Sequence, residues 1–344
     1  MQRFLLVVLV LSLLIPGAVF GQEEVNKAGS TAANFLKLEV GARAVALGGA
    51  FTSIANDGTA MLFNPAGLAD FQKPTFTYHN VDLYADIRQH FTGIVIPFGE
   101  SSAIGVYINY VNLGWIYRTD IEMQRRERGQ YVFSSNSAYG FSFARRLTDR
   151  VLFGVSFKYI SEKYWNSSAT NFAADFGTVY TPGVGGLKLG LAIKHLGPEM
   201  KIDEGPDFTF FKRQEEAFPG NRQLPSRLIL DKYALPTTFS GGIAFDFVGP
   251  TSVVLPNDIH QLTLLTEIND AFDAPFRSIV GVEYMWNNML SIRGGSKQNY
   301  DTFKYSFGGG IKIPIMNSEM IFDYAYADYG DLEGVYVTSI EIKF

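Results

Sequence analysis

Beyond residue 21 the chain holds no second apolar run long enough to cross a bilayer as a helix, yet short alternating segments recur along nearly its whole length. Val151, Phe153, Val155, Phe157 and Tyr159 share one face of their segment, against Gly154, Ser156, Lys158 and Glu162. Ile104, Val106, Ile108 and Tyr110 oppose Ala103, Gly105 and Asn109 in the same way. Leu187, Leu189, Leu191 and Ile193 oppose Lys188, Gly190, Ala192 and Lys194. Successive side chains of a strand point to opposite faces, so each segment has one apolar face and one small, polar or charged face. A soluble β-sandwich also alternates. Repetition along the whole chain, with Lys and Glu on the second face, fits a transmembrane barrel with lipid outside and a polar lumen inside. Lipid offers no partner to an open backbone edge, so such a sheet must close on itself.

The composition agrees. Charged residues make up only 18%, aromatics reach 15%, and there are 34 glycines. The mean hydropathy is +0.05, far from that of a disordered chain or a helical membrane protein. Cysteine is absent, which removes disulfide scaffolds, thiol nucleophiles and Cys-based zinc sites. A net charge of −5 argues against nucleic-acid binding. Arg3, the apolar run Phe4–Ile15 and the small-residue zone ending at Gly21 form a secretory signal, with cleavage expected after Gly21. Export of a barrel implies an outer-membrane location in a Gram-negative-type bacterium.

Strand-like segments number roughly fourteen between residue 75 and the end. The connections Gly99–Ser101, Leu147–Arg150, Pro182–Gly185, Trp286–Asn288 and Pro314–Ser318 are short, and Val248–Ile259 is longer. All fall on one side by parity. The long connections Gly114–Ser134 and Gly197–Tyr233 fall on the other, the extracellular side of a bacterial barrel. The final segment Tyr336, Thr338, Ile340, Ile342 and Phe344 alternates with Val337, Ser339, Glu341 and Lys343. Its aromatic terminus resembles the signal read by the barrel-assembly machinery.

Residues 22–74 read differently. They are rich in Ala and Gly, carry turn signals at Asn56-Asp57-Gly58 and Asn64-Pro65, and are too apolar for a solvated tail. The expected organisation is a signal at 1–21, an N-terminal plug inside the lumen at 22–74, and an all-β antiparallel barrel at 75–344. The motif Gly41-Ala42-Arg43-Ala44, Gly48-Gly49-Ala50 and Asn64-Pro65-Ala66-Gly67-Leu68-Ala69 resembles the N-terminal hatch of the FadL-like outer-membrane proteins, and more closely that of their PorV/PorQ branch. Leu235–Phe239, Gly281–Tyr284, Ser291–Gly295, Ser306–Gly310 and Phe322–Tyr326 extend the resemblance along the chain.

Two functions follow from that resemblance. FadL-like proteins imply passive uptake of hydrophobic molecules such as fatty acids. The PorV/PorQ branch implies a type IX secretion component that binds the signal domains of secreted cargo proteins at the cell surface. The second is favoured narrowly, as the closer match; a barrel with neither role is the third possibility. The loop Gly197–Tyr233, with Phe208, Phe210, Phe211, Leu228, Ile229 and Leu230, is the expected partner or ligand surface and is expected to hold a short helix. Arg118, Arg125, Arg126 and Arg128 form a basic patch suited to anionic lipopolysaccharide beside the membrane lipid. No catalytic centre, cofactor or metal site is expected. His79, His90, His195 and His260 have no neighbour at triad or metal-ligand spacing, and Asp323 and Glu341 fit an inner polar network. Gly48-Gly49 and Gly308–Gly310 lack the context of a phosphate loop.

Overall fold

The structure, a computed structural model, describes residues 27, 29–118, 130–165, 167–203, 209–211, 224–226 and 230–344, with 118, 130, 209–211 and 224–226 described by backbone alone. Fourteen antiparallel strands close into a barrel. They are β1 (Thr75–Asp82), β2 (Arg88–Phe98), β3 (Ser102–Arg118), β4 (Gln130–Thr148), β5 (Val151–Tyr164), β6 (Ser167–Tyr180) and β7 (Leu187–Leu196). There follow β8 (Thr238–Gly249), β9 (His260–Ala271), β10 (Arg277–Trp286), β11 (Leu290–Gln298), β12 (Tyr305–Ile315), β13 (Ser318–Asp328) and β14 (Gly334–Lys343). Each strand pairs with its neighbours in sequence, and β14 returns to β1 in the register Thr75↔Lys343 to Asp82↔Tyr336. Phe344 extends that seam, its amide donating to the Pro74 carbonyl at 2.9 Å. No edge is left for lipid to face.

The faces fall as the alternation requires. Val106, Ile108, Phe141, Phe157 and Leu191 stand on the outer surface, while Ala103, Asn109, Ser142, Ser156 and Ala192 are buried inside. No helix is long and apolar enough to cross a membrane; here the crossing elements are strands. A soluble protein would rarely expose an apolar surface that runs right round the molecule. The structure therefore has the outer face of a bilayer-embedded barrel.

The short connections share one end, the turn end, with the start of β1 and the close of β14. The long ones share the opposite, loop end. One expectation at the loop end is corrected. Gly114–Ser134 is not all loop: β3 and β4 continue past a bulge at Gly114 (φ 77°), with Trp115↔Phe133 through Arg118↔Gln130 still paired. Glycine supplies the positive φ that lets the strand bulge and resume. The greater part of Gly197–Tyr233, where a short helix is expected, lies outside the described residues. Those described pair as short antiparallel ladders, 209–211 with 224–226 and 200–201 with 232–233.

The described residues 31–74 ahead of β1 occupy the lumen. They form a 3-10 turn (Asn34–Lys37), the short helices α1 (Ala42–Ala46) and α2 (Ala60–Phe63), and a second 3-10 turn (Pro65–Asp70). Ala44, Leu47, Phe51, Met61 and Leu68 are fully enclosed and form one core with Phe91, Val95, Leu265 and Ile279 of the wall. Small wall residues make the room. A Cβ at Gly154 would collide with the backbone of Pro65 and Ala66, and one at Gly177 with the Asn64 side chain. Overpacking of this kind costs ~1–3 kcal/mol. Gly154→Val should unseat the segment while leaving the barrel closed, seen as faster proteolysis between residues 40 and 70 with the strands still protected.

Candidate functional site

An irregular segment buried in a lumen carries backbone donors that its own short helices cannot satisfy, so the wall must supply acceptors. Glu267 of β9 does this most directly. Its Oε2 accepts from the amides of Phe51 and Thr52 at 2.9 and 2.8 Å, and its Oε1 from Thr52 Oγ1 at 2.8 Å. Glu341 of β14 accepts from the Gly58 amide at 2.9 Å, and Ser339 from the Ala42 amide at 2.7 Å.

The hatch motif residues sit at these contacts. Gly41 (φ 94°) turns the chain into α1, and a Cβ there would press on Thr59. Gly48 and Gly49 (φ 68° and 89°) turn it out again beside β11, with Gly49 against the Glu39 carboxylate. Asn64 joins segment and wall: its Nδ2 donates to the Thr52 carbonyl at 2.8 Å and the Thr178 carbonyl at 3.1 Å, and its Oδ1 accepts from the Ala66 amide. Pro65 and Ala66 lie against Gly154, while Gly67 passes so close to the Ala55 carbonyl that no side chain fits.

Arg43 makes the strongest tie. Its Nε and a terminal nitrogen bind both oxygens of Glu283 on β10 at 2.8 Å, and its other terminal nitrogen reaches Asn56 at 2.5 Å. Burial opposes the charge, but the two-point contact with Glu283 outweighs it and holds the guanidinium above its ordinary pKa. Glu283 also accepts from Arg293 of β11 at 2.7 Å, and Arg293 continues to Asp323 of β13 at 2.5 Å. Sequence reading placed Arg43 in the motif and Asp323 in a polar network, but had no means of pairing Glu283 with either arginine across strands. Losing Glu283 would strip both arginines of a buried carboxylate. Glu283→Ala should therefore destabilise the folded barrel by roughly 3–5 kcal/mol in detergent unfolding. Arg43→Ala, which leaves Glu283 paired with Arg293, should cost less.

At the loop end the segment is tied by Lys37 and Thr31, which bind Asp273 Oδ2 at 2.6 and 2.5 Å. Asp273 lies between β9 and β10. Its burial would raise the pKa, but the bonds from Lys37 and Thr31 prevail and lower it. A depressed carboxylate contributes stability above its unfolded value and loses it as pH falls through the folded one. Proteolytic release of the segment around residues 29–37 should accordingly begin only in acid, below the ordinary aspartate range, and Asp273→Asn should abolish that dependence.

The enclosed segment borders distinct cavities. One of about 530 Å³ opens at the loop end, lined by Ala32, Ala33, Phe35 and Leu38 of the segment and by wall residues that include Ile87 and Val111. A second, of about 270 Å³, lies across the Asn34–Lys37 turn and is polar, with Glu39, Lys194, Glu267 and Lys297. A third, of about 200 Å³ at the turn end, is walled by Arg43, Asp57, Arg293, Asp323 and Glu341. The lumen thus passes from apolar at the loop end to charged at the turn end.

Of the expected loop surface, Phe208, Leu228 and Ile229 lie outside the described residues, as do Arg125, Arg126 and Arg128. Phe210, Phe211 and Arg118 are placed by backbone only, and Leu230 is half-buried. The histidines are structural in setting. His79 has a ring nitrogen 2.6 Å from each of the Thr77 and Ser339 hydroxyls, and His195 lies 2.9 Å from Lys158, itself paired with Asp175 at 2.6 Å. No group of three or more metal-binding side chains occurs among the described residues.

No protein-family model and no curated protein matches the chain. Solved structures do. The chain is similar to the CymD monoaromatic hydrocarbon channel, at 13% identity over 89% of this chain and 97% of that one, with a TM-score of 0.55. It is also similar to the Ralstonia pickettii toluene transporter TbuX, at 15% identity over 88% and 96%, TM-score 0.52. The Pseudomonas putida toluene transporter TodX gives 11% identity over 88% and 96%, TM-score 0.51. At these identities the likeness is one of fold: a FadL-like fourteen-stranded barrel with a segment ahead of it in the chain.

Proposed function

We propose that this barrel is an outer-membrane channel that admits hydrophobic molecules through the apolar cavity at its loop end. The carrying observation is that cavity. About 530 Å³ of space lined mainly by aliphatic and aromatic side chains faces the extracellular end and meets the enclosed segment at its base. Ligand sites are concave and mostly apolar with a few placed polar groups, and this cavity has that character. Solved barrels of the same fold are described as toluene and monoaromatic hydrocarbon transporters, which supports the same class of cargo here.

In the state described the segment closes the lumen, and the Asn34–Lys37 turn stands between the apolar cavity and the polar one. Passage then requires either movement of that turn or exit through the wall. One irregularity in the wall lies close by. β6 and β7 fall out of register between Ala174 and Phe176, where His195 takes a positive φ of 62°. Recognition of type IX cargo, the reading first favoured from the hatch motif, draws no support from a described residue, and the motif is common to both branches.

Placing a charge in the apolar cavity without a partner is costly. Phe35→Glu or Val111→Glu should reduce accumulation of a monoaromatic hydrocarbon by cells producing the protein, by about tenfold or more. The variants should still insert and show the folded barrel's resistance to protease. If accumulation is unchanged, and deleting the gene instead abolishes display of secreted proteins on the cell surface, the channel reading fails and cargo recognition replaces it.

A further inference from the structure

The outward side chains of β4 change chemistry twice between the turn end and the loop end. Phe143, Phe141 and Tyr139 are followed by Ser137 and Ser135, and these by Phe133 and Tyr131. The neighbouring strands repeat the first change: Phe157 and Tyr159 give way to Ser161 and Lys163 on β5, and Phe172 to Thr170 on β6. The apolar run of β5 from Val151 to Tyr159 has the length of a tilted spanning strand, ~9–11 residues. The hydrocarbon therefore ends near the level of Tyr139, Tyr159 and Phe172, which lie in register. Above that level, the hydroxyls of Ser135, Ser137, Ser161 and Thr170 make no hydrogen bond, and Lys163 no ion pair, among the described residues. Below it, a groove of about 470 Å³ lies in the outer face over Gly140, between that row and the row Val106, Phe141 and Phe157.

Higher still, β3 and β4 rise past both neighbours, whose last pairs with them are Arg88↔Asn112 and Ser134↔Tyr164. The bulge at Gly114 adds one residue to β3. It brings Trp115 and Tyr117 onto the outer face with Phe133 and Tyr131, where an unbroken strand would turn Ile116 outward. The four rings pack as two cross-strand pairs with centroids 5.4 Å apart, yet Trp115 and Tyr131 remain 68% and 65% exposed. At a rise of ~3.3 Å per residue and a tilt of ~40°, Phe133 and Tyr131 stand roughly 15 and 20 Å above Tyr139. That is beyond an interfacial aromatic girdle and beyond the ~5–8 Å of a phospholipid headgroup layer.

We propose that the outer face of β3–β6 holds one phosphorylated glycolipid of the outer leaflet. An acyl chain lies in the groove, the phosphate meets Lys163 and the serine hydroxyls, and the sugars pack on the aromatic ladder. Pyranose rings present C–H faces to aromatic rings and keep their hydroxyl edges wet. The ladder continues the lipid-facing wall, so what lies against it is the head of the lipid whose chains lie below. An aromatic surface of this kind is rarely left bare to water. The site is independent of what passes through the lumen.

Native mass spectrometry of the folded barrel in micelles, with rough lipopolysaccharide, lipid A or dioleoylphosphatidylglycerol added, counts the lipid retained. Rough lipopolysaccharide should stay bound, one per barrel, at about tenfold lower concentration than lipid A, and the phospholipid should need the highest concentration. Trp115→Ala combined with Tyr131→Ala should bring lipopolysaccharide to the level of lipid A and leave lipid A unchanged. Lys163→Ala should weaken both glycolipids about fivefold. All three side chains are exposed on the outside of the barrel, and protease resistance reports that the wall is intact. Should the double variant misfold, the ranking of the three lipids on the unaltered chain decides by itself. Retention of the phospholipid at the concentration that suffices for lipopolysaccharide overturns the site and leaves only annular lipid. Lipid A held as tightly as lipopolysaccharide, an unchanged ratio in the ladder variant, or lipid A unaffected by Lys163→Ala overturns the assignment of head and sugars.

Discussion

The structure depends on how a barrel can bury an irregular segment of chain. Residues 41–70 present amides and carbonyls to a lumen where the neighbouring atoms belong to strands whose own backbone groups are already paired. Only inward side chains remain to answer them. Glu267 takes two amides and a hydroxyl, while Glu341, Ser339 and Ser306 take or give one bond each. Asn64 serves the segment and the wall at once. Other inward carboxylates are held by the wall itself: Asp175 by Lys158, Asp323 by Arg293, and Asp246 by the hydroxyls of Thr251 and Thr263. The alternation along the strands and the shape of the plug are two sides of one requirement, that the buried backbone groups of the segment find partners.

Much of the barrel was legible because its signal has period two and repeats many times. A single segment such as Leu187–Lys194 could belong to many folds; its recurrence, and the parity of short and long connections, singles out a closed barrel. Gly114 was misread as the start of a loop because glycine marks a turn and a bulge equally well in one dimension. The enclosed segment was visible as an Ala- and Gly-rich stretch that no solvated tail would tolerate. Its anchor points were only partly visible. Arg43 stood within a recognisable motif, but Glu283 and Arg293 are ten residues apart in sequence and meet only because β10 and β11 pair side by side. The contact of Asn136 on β4 with Tyr164 on β5 was hidden for the same reason: cross-strand register, fixed by the closure of the whole sheet, decides which inward residues touch.

The polarity of the lumen bears on how the proposed channel would remain closed to ions and small polar solutes. An apolar vestibule at the loop end and a charged cavity at the turn end are kept apart by packed side chains rather than by a narrow pore. Phe51, Met61 and Leu68 belong to that packed layer, each fully buried. Water and ions gain nothing by entering such a layer, whereas a hydrophobic molecule in the vestibule meets surfaces like itself until it reaches the turn at Asn34–Lys37. Selectivity of this kind resides in the order in which environments are met.

The seam between β1 and β14 ties the closure of the sheet to the seating of the segment. The enclosed segment leads directly into β1, yet it contacts β4, β5, β6, β10, β11 and β13, strands that lie far along the chain. Pro74 and Thr75, where the chain leaves the lumen, are also the residues that meet Phe344 and Lys343. The contacts that hold the segment therefore brace the wall across strands that have no hydrogen bonds to one another.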